Sequence, residues 1–203
     1  CNTCTSAGRH YDGTKWTGRP SMGFAYGVWG SGPTDVYAVG YGGVYHYDGG
    51  SWTNVFSKAP RAHNGVWGSG PTDVYVVGSR EKYSKSGEIY HWNGKAWTQH
   101  LKGMTVQDFI GVWGSGSADV FTVGQGGIIY HRQGGSWSPE TSGTKENLGG
   151  VWGTSATNVY ASGVLGTILR HDGLTSKAMS SGTAHYLPAT RRDGTTELYL
   201  RAS

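Results

Sequence analysis

The sequence predicts an all-β fold that is built from repeated units of four short strands. The tetrapeptide Gly-Val-Trp-Gly occurs four times, at residues 27–30, 65–68, 111–114 and 150–153. Its tryptophans are 38, 46 and 39 residues apart, and a period in this range is typical of repeat architectures. No window shows the apolar periodicity of an amphipathic helix.

Residues 27–53 contain the four predicted strands of one unit, and their sequence is GVWGSGPTDVYAVGYGGVYHYDGGSWT. A Val-Trp strand is followed by strands at residues 35–39 and 43–47, and Trp52 begins the fourth. These runs are rich in Val and Tyr and are separated by Gly, Pro and Asp, which is typical of β-hairpins. The pattern returns from residue 65, interrupted by an insertion, and again at residues 111–138.

Units of about 40 residues with four strands favour propeller blades, since each small sheet can bury its two faces only against its neighbours. Residues 9–17 match the third and fourth strands of a unit, and residues 186–191 and 196–201 resemble a degenerate first and second strand. We therefore predict a five-bladed β-propeller of four-stranded antiparallel blades, closed by pairing of the N- and C-terminal strands. The single domain spans residues 1–203, with blades at about 23–57, 62–102, 107–143 and 147–181 and a composite blade from 183–203 plus 8–20.

The competing interpretation is a fragment of a six- or seven-bladed ring, or an open array of blades. The segment around Leu187, which would supply the first strand of the fifth blade, retains none of the Gly-Val-Trp-Gly residues. Closure has a physical advantage, because pairing both ends removes free sheet edges that invite aggregation.

The segment Asp-Gly-Gly-Ser-Trp at residues 48–52 has relatives at 93–97 and 133–137. It resembles the Asp-box hairpin of sialidases, sortilin-type propellers and photosystem II assembly-factor propellers. The whole unit is similar to the repeats of secreted and lipoprotein propellers from myxobacteria and their relatives, over residues 27 to about 173. The resemblance implies a propeller fold, in which these hairpins are structural turns on the rim.

Composition limits the environment and the partners of the chain. Only 15% of residues are charged, the formal net charge is +4, and no apolar stretch approaches the 18 residues that a membrane-spanning helix needs. Cys1 and Cys4 form a lone C-x-x-C, which fits a small disulfide, half of a metal site or an incidental pair. A first residue of Cys also suits a lipoprotein, so we expect an extracellular or periplasmic protein, with lipid anchoring through Cys1 as one form.

Three residue series repeat once per unit, and we interpret all of them as structural. The tryptophans of the Gly-Val-Trp-Gly motif are expected to fill the space between blades. His10, His46, His91 and His131 occupy one equivalent position, where Arg170 stands in the fourth unit, and we expect each to bond a neighbouring turn. The third series is Asp35, Asp73 and Asp119, with Asn158 as its fourth member, and we expect these side chains to bond backbone amides.

We expect binding residues at positions where the units differ, because residues that all units share are needed for the fold. The largest difference is the polar insertion at residues 79–86, which places a tyrosine among cations. Rings stack on sugar faces and cations pair with carboxylate or sulfate, so these loops fit carbohydrate or an acidic polymer. The candidate ligand-binding residues are Arg80, Lys82, Tyr83, Lys85, Arg61, His63, Tyr26 and Phe109.

The main functional hypothesis is a non-catalytic, lectin-like recognition module that binds a glycan or cell-surface polysaccharide at several repeated sites. The alternative is a protein-protein interaction or assembly scaffold with one dominant surface. A sialidase-type glycoside hydrolase is a distant third, because no arginine cluster, tyrosine nucleophile and acid can be mapped onto the chain. We expect no catalytic residues, no metal site, no cofactor and no nucleic-acid partner, since no phosphate-binding motif or basic run appears.

Overall fold

The computed structural model describes residues 7–11, 14–21, 24–57, 62–79, 87–101, 107–187, 190–191 and 199–200. Within these ranges the chain forms β-strands and two single 3-10 turns, at Gln125–Gly127 and Val164–Gly166. No helix among the described residues has the length and hydropathy needed to cross a bilayer.

Four antiparallel sheets of four strands follow one another along the chain. A hairpin of β1 (Ala7–Tyr11) and β2 (Trp16–Ser21) precedes them. The first sheet is β3 (Ala25–Gly32), β4 (Asp35–Gly40), β5 (Gly43–Tyr47) and β6 (Trp52–Phe56); the second is β7 (Ala62–Gly70), β8 (Asp73–Ser79), β9 (Gly87–Trp92) and β10 (Trp97–His100). The third is β11 (Phe109–Gly116), β12 (Asp119–Gly124), β13 (Ile129–Gln133) and β14 (Ser136–Glu140); the fourth is β15 (Leu148–Ser155), β16 (Asn158–Gly163), β17 (Ile168–His171) and β18 (Ser176–Met179).

Each sheet is one blade with its strands in sequence order, as the repeat predicts. The first strands β3, β7, β11 and β15 lie against one another in succession, so they form the inner edge of the array. The backbones approach closely there: a Cβ added at Gly65 would lie 2.9 Å from the carbonyl oxygen of Ile110 in the next blade. A larger side chain at this glycine would push the two inner strands apart.

The core lies between the blades rather than inside any one of them. Alternate residues of β8 point to opposite faces, so Val74 and Val76 pack against the first blade, whereas Tyr75 and Val77 pack against the third. All four side chains are fully buried. Burial of each such side chain contributes about 1.5–3 kcal/mol, so a blade is stabilised mainly by its two neighbours.

The Gly-Val-Trp-Gly motif has a specific role in this packing. The indole of each motif tryptophan lies against the last motif glycine of the next blade: Trp29 against Gly68, Trp67 against Gly114 and Trp113 against Gly153. The tryptophans are half-buried rather than fully buried. The sequence prediction that they fill the space between blades is confirmed, and the adjacent glycine provides the space for the ring.

The ends of the chain form two further hairpins, and the predicted composite blade is not seen as one sheet. Among the described residues, the strands β1 and β2 pair only with each other, as do β19 (Thr190–Arg191) and β20 (Tyr199–Leu200). The strand β19 lies against β15 and β16 of the fourth blade. The predicted blade count of five is therefore not established by the four described blades.

Candidate functional site

A Ser-Asp-His network recurs in the first three blades. In the second blade, His91 Nε2 donates to Asp73 Oδ1 at 2.6 Å, and Ser69 Oγ donates to the other carboxylate oxygen at 2.5 Å. The first blade uses Ser31, Asp35 and His46 and the third Ser115, Asp119 and His131, with the same atoms and distances. The Asp side chains thus bond histidine and serine rather than the backbone amides that we expected.

The order of this network argues against nucleophilic catalysis. A catalytic serine must bond the histidine that removes its proton, and a carboxylate then orients that histidine from its far side. Here the carboxylate lies in the middle, so serine and histidine each bond a different oxygen of Asp73. Each imidazole also stacks on an aromatic ring, as His91 does on Tyr75 at 4.3 Å between ring centroids. The network therefore ties three strands of one blade together.

The register of the strands sorts the loops onto two faces. Ala25 at the start of β3 pairs with Gly40 at the end of β4, and Phe56 at the end of β6 pairs with Val44 near the start of β5. The loops between the second and third strands therefore share a face with the connections between blades. We call this the connection face; the opposite face carries the turns between first and second and between third and fourth strands.

A central pocket of about 460 Å³ lies on the connection face. Tyr26, Asn64, Ile110 and Gly149 contribute to its lining, and each directly precedes a Gly-Val-Trp-Gly motif. All four described blades thus supply the same position to one pocket. Ser79, Asp108 and Gln125 complete the lining with polar groups.

Exposed aromatic side chains of the first blade lie on the same face as this pocket, and one of them, Tyr26, lines it. Phe24, Tyr26 and Tyr41 each expose about half of their surface, and the amide of Tyr41 donates to the carbonyl of Phe24 at 2.9 Å. Leu165 lies on the same face in the equivalent loop of the fourth blade and is also exposed. A group of exposed apolar side chains beside a pocket is typical of a binding surface.

A second groove of about 520 Å³ lies between the first and second blades, nearer the opposite face. Its aromatic lining includes Tyr37, Trp92 and Trp97, and it reaches Asp35 and His46 of the first network. Burial, reinforced by the Asp35 charge, raises the pKa of Tyr37 to about 12, so this phenol stays protonated at neutral pH.

The residues that line this groove are not repeated at the other described interfaces. Strand register places Arg132 in the third blade and His171 in the fourth at the position that Trp92 occupies in the second. A guanidinium and an imidazole present different chemistry from an indole. The described interfaces therefore do not carry the repeated identical sites that the lectin-like hypothesis requires.

The predicted binding residues fall into three groups in the structure. Tyr26 is exposed and lines the central pocket. His63 and Phe109 are 1% and 0% exposed, so the prediction that both contact a surface ligand is wrong. Their positions at blade interfaces explain this burial. His63 lies beside Phe56 of the first blade, and Phe109 belongs to the buried cluster that contains Tyr75 and Ile89 of the second blade. The remaining predicted binding residues, Arg61, Arg80, Lys82, Tyr83 and Lys85, lie outside the described residues.

Burial also sets the charge of His63. Loss of hydration in the core lowers its pKa from 6.5 to about 4, so the imidazole is neutral at physiological pH. Its Nδ1 atom is buried and has no hydrogen-bond partner in the described part of the chain. This histidine belongs to the folded core, and its protonation opposes folding.

A polar cluster that the sequence did not predict lies between the third and fourth blades. His131, Glu140 and His171 each bring one ligand-type atom within 4.8 Å of the others. Burial raises the pKa of Glu140 and lowers the pKa of His171, which favours the neutral form of each group. Only His131 belongs to a repeated series, so comparison of equivalent positions could not identify the cluster.

Comparison with known proteins gives a fold rather than a family. No protein-family model matches the sequence, and no curated protein matches it. A solved structure of YCF48 bound to D1 peptide superposes with a TM-score of 0.67 at 14% identity, covering 93% of this chain and 66% of that one. YCF48 from Cyanidioschyzon merolae gives 0.66 at 14% identity, with coverages of 93% and 70%. Sqt1 from Chaetomium thermophilum gives 0.67 at 12% identity, with coverages of 91% and 56%.

These neighbours are β-propellers, and the similarity extends over almost all of this chain. The chain spans between 56% and 70% of their lengths. The propeller part of the predicted resemblance is thus confirmed, whereas its secreted and lipoprotein part stays a prediction. Four successive antiparallel blades, packed through their faces around an inner edge of first strands, give this chain the β-propeller fold.

Proposed function

We propose that this chain is a non-catalytic protein-interaction module whose partner binds at the central pocket on the connection face. The observation that carries the proposal is the convergence of one equivalent position from all four described blades onto this pocket, beside exposed aromatic side chains. The lectin-like alternative has less support, because the described interfaces lack its repeated sites.

The pocket suits a protein segment for physical reasons. Half-exposed aromatics such as Tyr26 and Phe24 lose little conformational entropy on binding and bury a large area, which is why such side chains dominate protein interfaces. Asn64 Nδ2 donates to the carbonyl of Phe109 at 2.7 Å, so the pocket offers a peptide backbone Oδ1 of Asn64 and the side-chain amide of Gln125. One of the structural neighbours is described with a bound peptide, which supports the same use of a propeller of this shape.

We propose that the polar insertion at residues 79–86 also contacts the partner. It begins at Ser79, which lines the central pocket, and it carries Arg80, Lys82, Tyr83 and Lys85. We propose that these cations, with Arg61, add contacts to acidic groups of the partner. Such contacts speed association and favour one orientation of the partner.

We also retain the five-bladed, single-domain ring as a proposal. Val28 on the free face of the first blade is 71% exposed, whereas the equivalent Val66 is 9% exposed beneath a neighbouring blade. A fifth blade from the terminal hairpins would cover Val28, although those hairpins pair separately in this structure. Export and lipid attachment through Cys1 are further proposals; Cys1 lies outside the described residues.

Site-specific photo-crosslinking tests the proposed function. The variant Tyr26→p-benzoylphenylalanine places the crosslinker in the pocket, and Leu174→p-benzoylphenylalanine places it at an exposed turn on the opposite face. In extracts of the source cells, we expect one defined protein adduct from position 26, suppressed by excess unmodified protein, and none from position 174. Identical adduct patterns at both positions, or a glycan-array signal without any adduct, would contradict the proposal.

A further inference from the structure

The interface between the third and fourth blades differs from the two before it in how its space is filled. Trp97 packs edge-on against Tyr37 of the first blade, and Trp137 packs in the same way against Tyr75 of the second. Strand register places Ser176 at the equivalent position of the fourth blade. The missing indole leaves a cavity of about 10 Å³, lined in part by Phe121, His171 and Ser176.

Polar groups replace the indole at this interface. His131 projects from the third blade and His171 from the fourth, with their ring centroids 5.5 Å apart, and both are about 5% exposed. Glu140 lies beside them, with its Oε1 atom 2.9 Å from Nδ1 of His171. In the preceding interface the corresponding residues are His91, His100 and Arg132, where a fixed positive charge would repel a cation.

The contact between Glu140 and His171 is close but does not have hydrogen-bond geometry. Neither ring nitrogen of His171 has a hydrogen-bond partner in the described part of the chain, although both are buried. A buried imidazole without a partner is costly. A metal ion bound between these two groups would supply the partner that His171 lacks.

The surrounding groups complete the arrangement. His131 Nε2 donates to Asp119 Oδ1 at 2.6 Å, which is the carboxylate-histidine pairing that fixes the ring of a metal ligand. Ser176 Oγ donates to Glu140 Oε2 at 3.3 Å and holds that carboxylate. The side chains on both sides of the cluster are therefore oriented by partners outside it.

We infer that His131, Glu140 and His171 form a zinc site that joins the third and fourth blades. Zinc takes nitrogen and carboxylate ligands at about 2.0–2.2 Å in tetrahedral geometry, which places the ligand atoms about 3.4 Å apart. The three side chains reach that spacing by shifts on the order of 1 Å from their present separations.

Calorimetric titration of the chelator-treated protein with ZnCl₂ tests this inference. The titrated protein carries Cys1→Ser and Cys4→Ser, because thiolates at the N-terminus would bind zinc independently. We expect one zinc ion per chain and a rise in Tm when zinc is in excess, since the ion binds only the folded state.

Two variants and one control separate this site from adventitious binding. Glu140→Gln keeps the side-chain shape and should weaken zinc affinity by more than about 100-fold, since loss of an outer partner alone costs about 10–100-fold. Ser176→Trp restores the indole of the other interfaces and removes the hydroxyl that bonds Glu140, so it should abolish binding by displacing that carboxylate. The control His91→Gln alters the equivalent histidine of the second blade and should leave zinc affinity unchanged. Absence of stoichiometric zinc, or equal affinity in Glu140→Gln and His91→Gln, would overturn the inference.

Discussion

The indole of Trp67 lies against Gly114 of the following blade, so closely that a Cβ added at Gly114 would be 2.6 Å from Cη2 of the ring. Real Cβ atoms do not approach other heavy atoms this closely. A side chain larger than hydrogen at residue 114 would therefore force the strand or the indole to move. The same relationship joins Trp29 to Gly68 and Trp113 to Gly153. The motif tryptophan of one blade therefore contacts the final motif glycine of the next blade.

Substitution of this glycine tests the packing. Gly114→Ala should destabilise the protein by about 1–3 kcal/mol, because the added methyl group would meet both the Trp67 ring and the carbonyl oxygen of Asp119 at 2.6 Å. Gly116→Ala in the same strand is the control, because nothing lies within 4 Å of its Cβ position, and its stability should change little. Urea unfolding of both variants provides the measurement. Equal midpoints for the two variants would show that the Trp-Gly contact does not determine blade packing.

The Ser-Asp-His network should be structural. Asp73→Ala leaves the Nε2 group of His91 without its acceptor in a largely buried position, so we expect a loss of about 1–3 kcal/mol. Ser69→Ala removes only an exposed hydroxyl from the same network and should cost about 1 kcal/mol or less. Chemical denaturation measures both values. A larger loss for Ser69→Ala than for Asp73→Ala would contradict the structural role of the carboxylate.

The buried histidine predicts a pH dependence. The pKa of His63 is about 4 in the folded protein and 6.5 when unfolded, so between these values the unfolded chain binds a proton that the folded chain does not. Stability should therefore fall as the pH decreases from 6.5 to 4, by about 3 kcal/mol in total, and His63 should contribute no further change below pH 4.

The variant His63→Leu isolates this contribution from those of other titrating groups. It keeps an apolar side chain of suitable size and removes an unpaired buried nitrogen, so it should be near neutral at pH 7. The difference in unfolding free energy between variant and wild type should grow as the pH falls from 6.5 to 4. Parallel stability curves over this range would exclude the buried, neutral state of His63.

Ring closure can be tested on the free face of the first blade. Val28→Thr keeps the shape and β-propensity of the side chain but adds a hydroxyl. If a fifth blade covers Val28, as we propose, the variant should lose about 1–3 kcal/mol, as should the control Val66→Thr at the covered equivalent position. A change within about 0.5 kcal/mol for Val28→Thr alone would indicate that this face is open.

The blade architecture was predictable from the sequence because strand periodicity and turn residues are local signals. Trp52 begins the fourth strand of its blade and Asp35 the second, where the repeat placed them. The central pocket was only partly predictable: Tyr26 was identified, but His63 was expected to be exposed. Both precede the motif within a few residues, yet His63 turns into the interface with Phe56 and Tyr90.

Contacts between blades explain most of what the sequence could not reveal. Alignment of the repeats compares positions within a blade, whereas an interface joins different positions from two successive blades. His131 occupies the third strand of one blade, while Glu140 and His171 come from a fourth strand and from the next blade. The three residues have no common spacing in the sequence, so only the packing of the blades brings them together.

The central claim is that a protein partner binds the central pocket on the connection face. Crosslinking first identifies that partner. Calorimetric titration of the purified partner into wild type, Tyr26→Ser and Leu174→Ser then measures its affinity for each protein. We predict one partner per chain, an affinity at least about 10-fold weaker for Tyr26→Ser because an aromatic anchor is lost, and no change for Leu174→Ser. Equal affinities for all three proteins would contradict the claim and exclude the central pocket as the binding site.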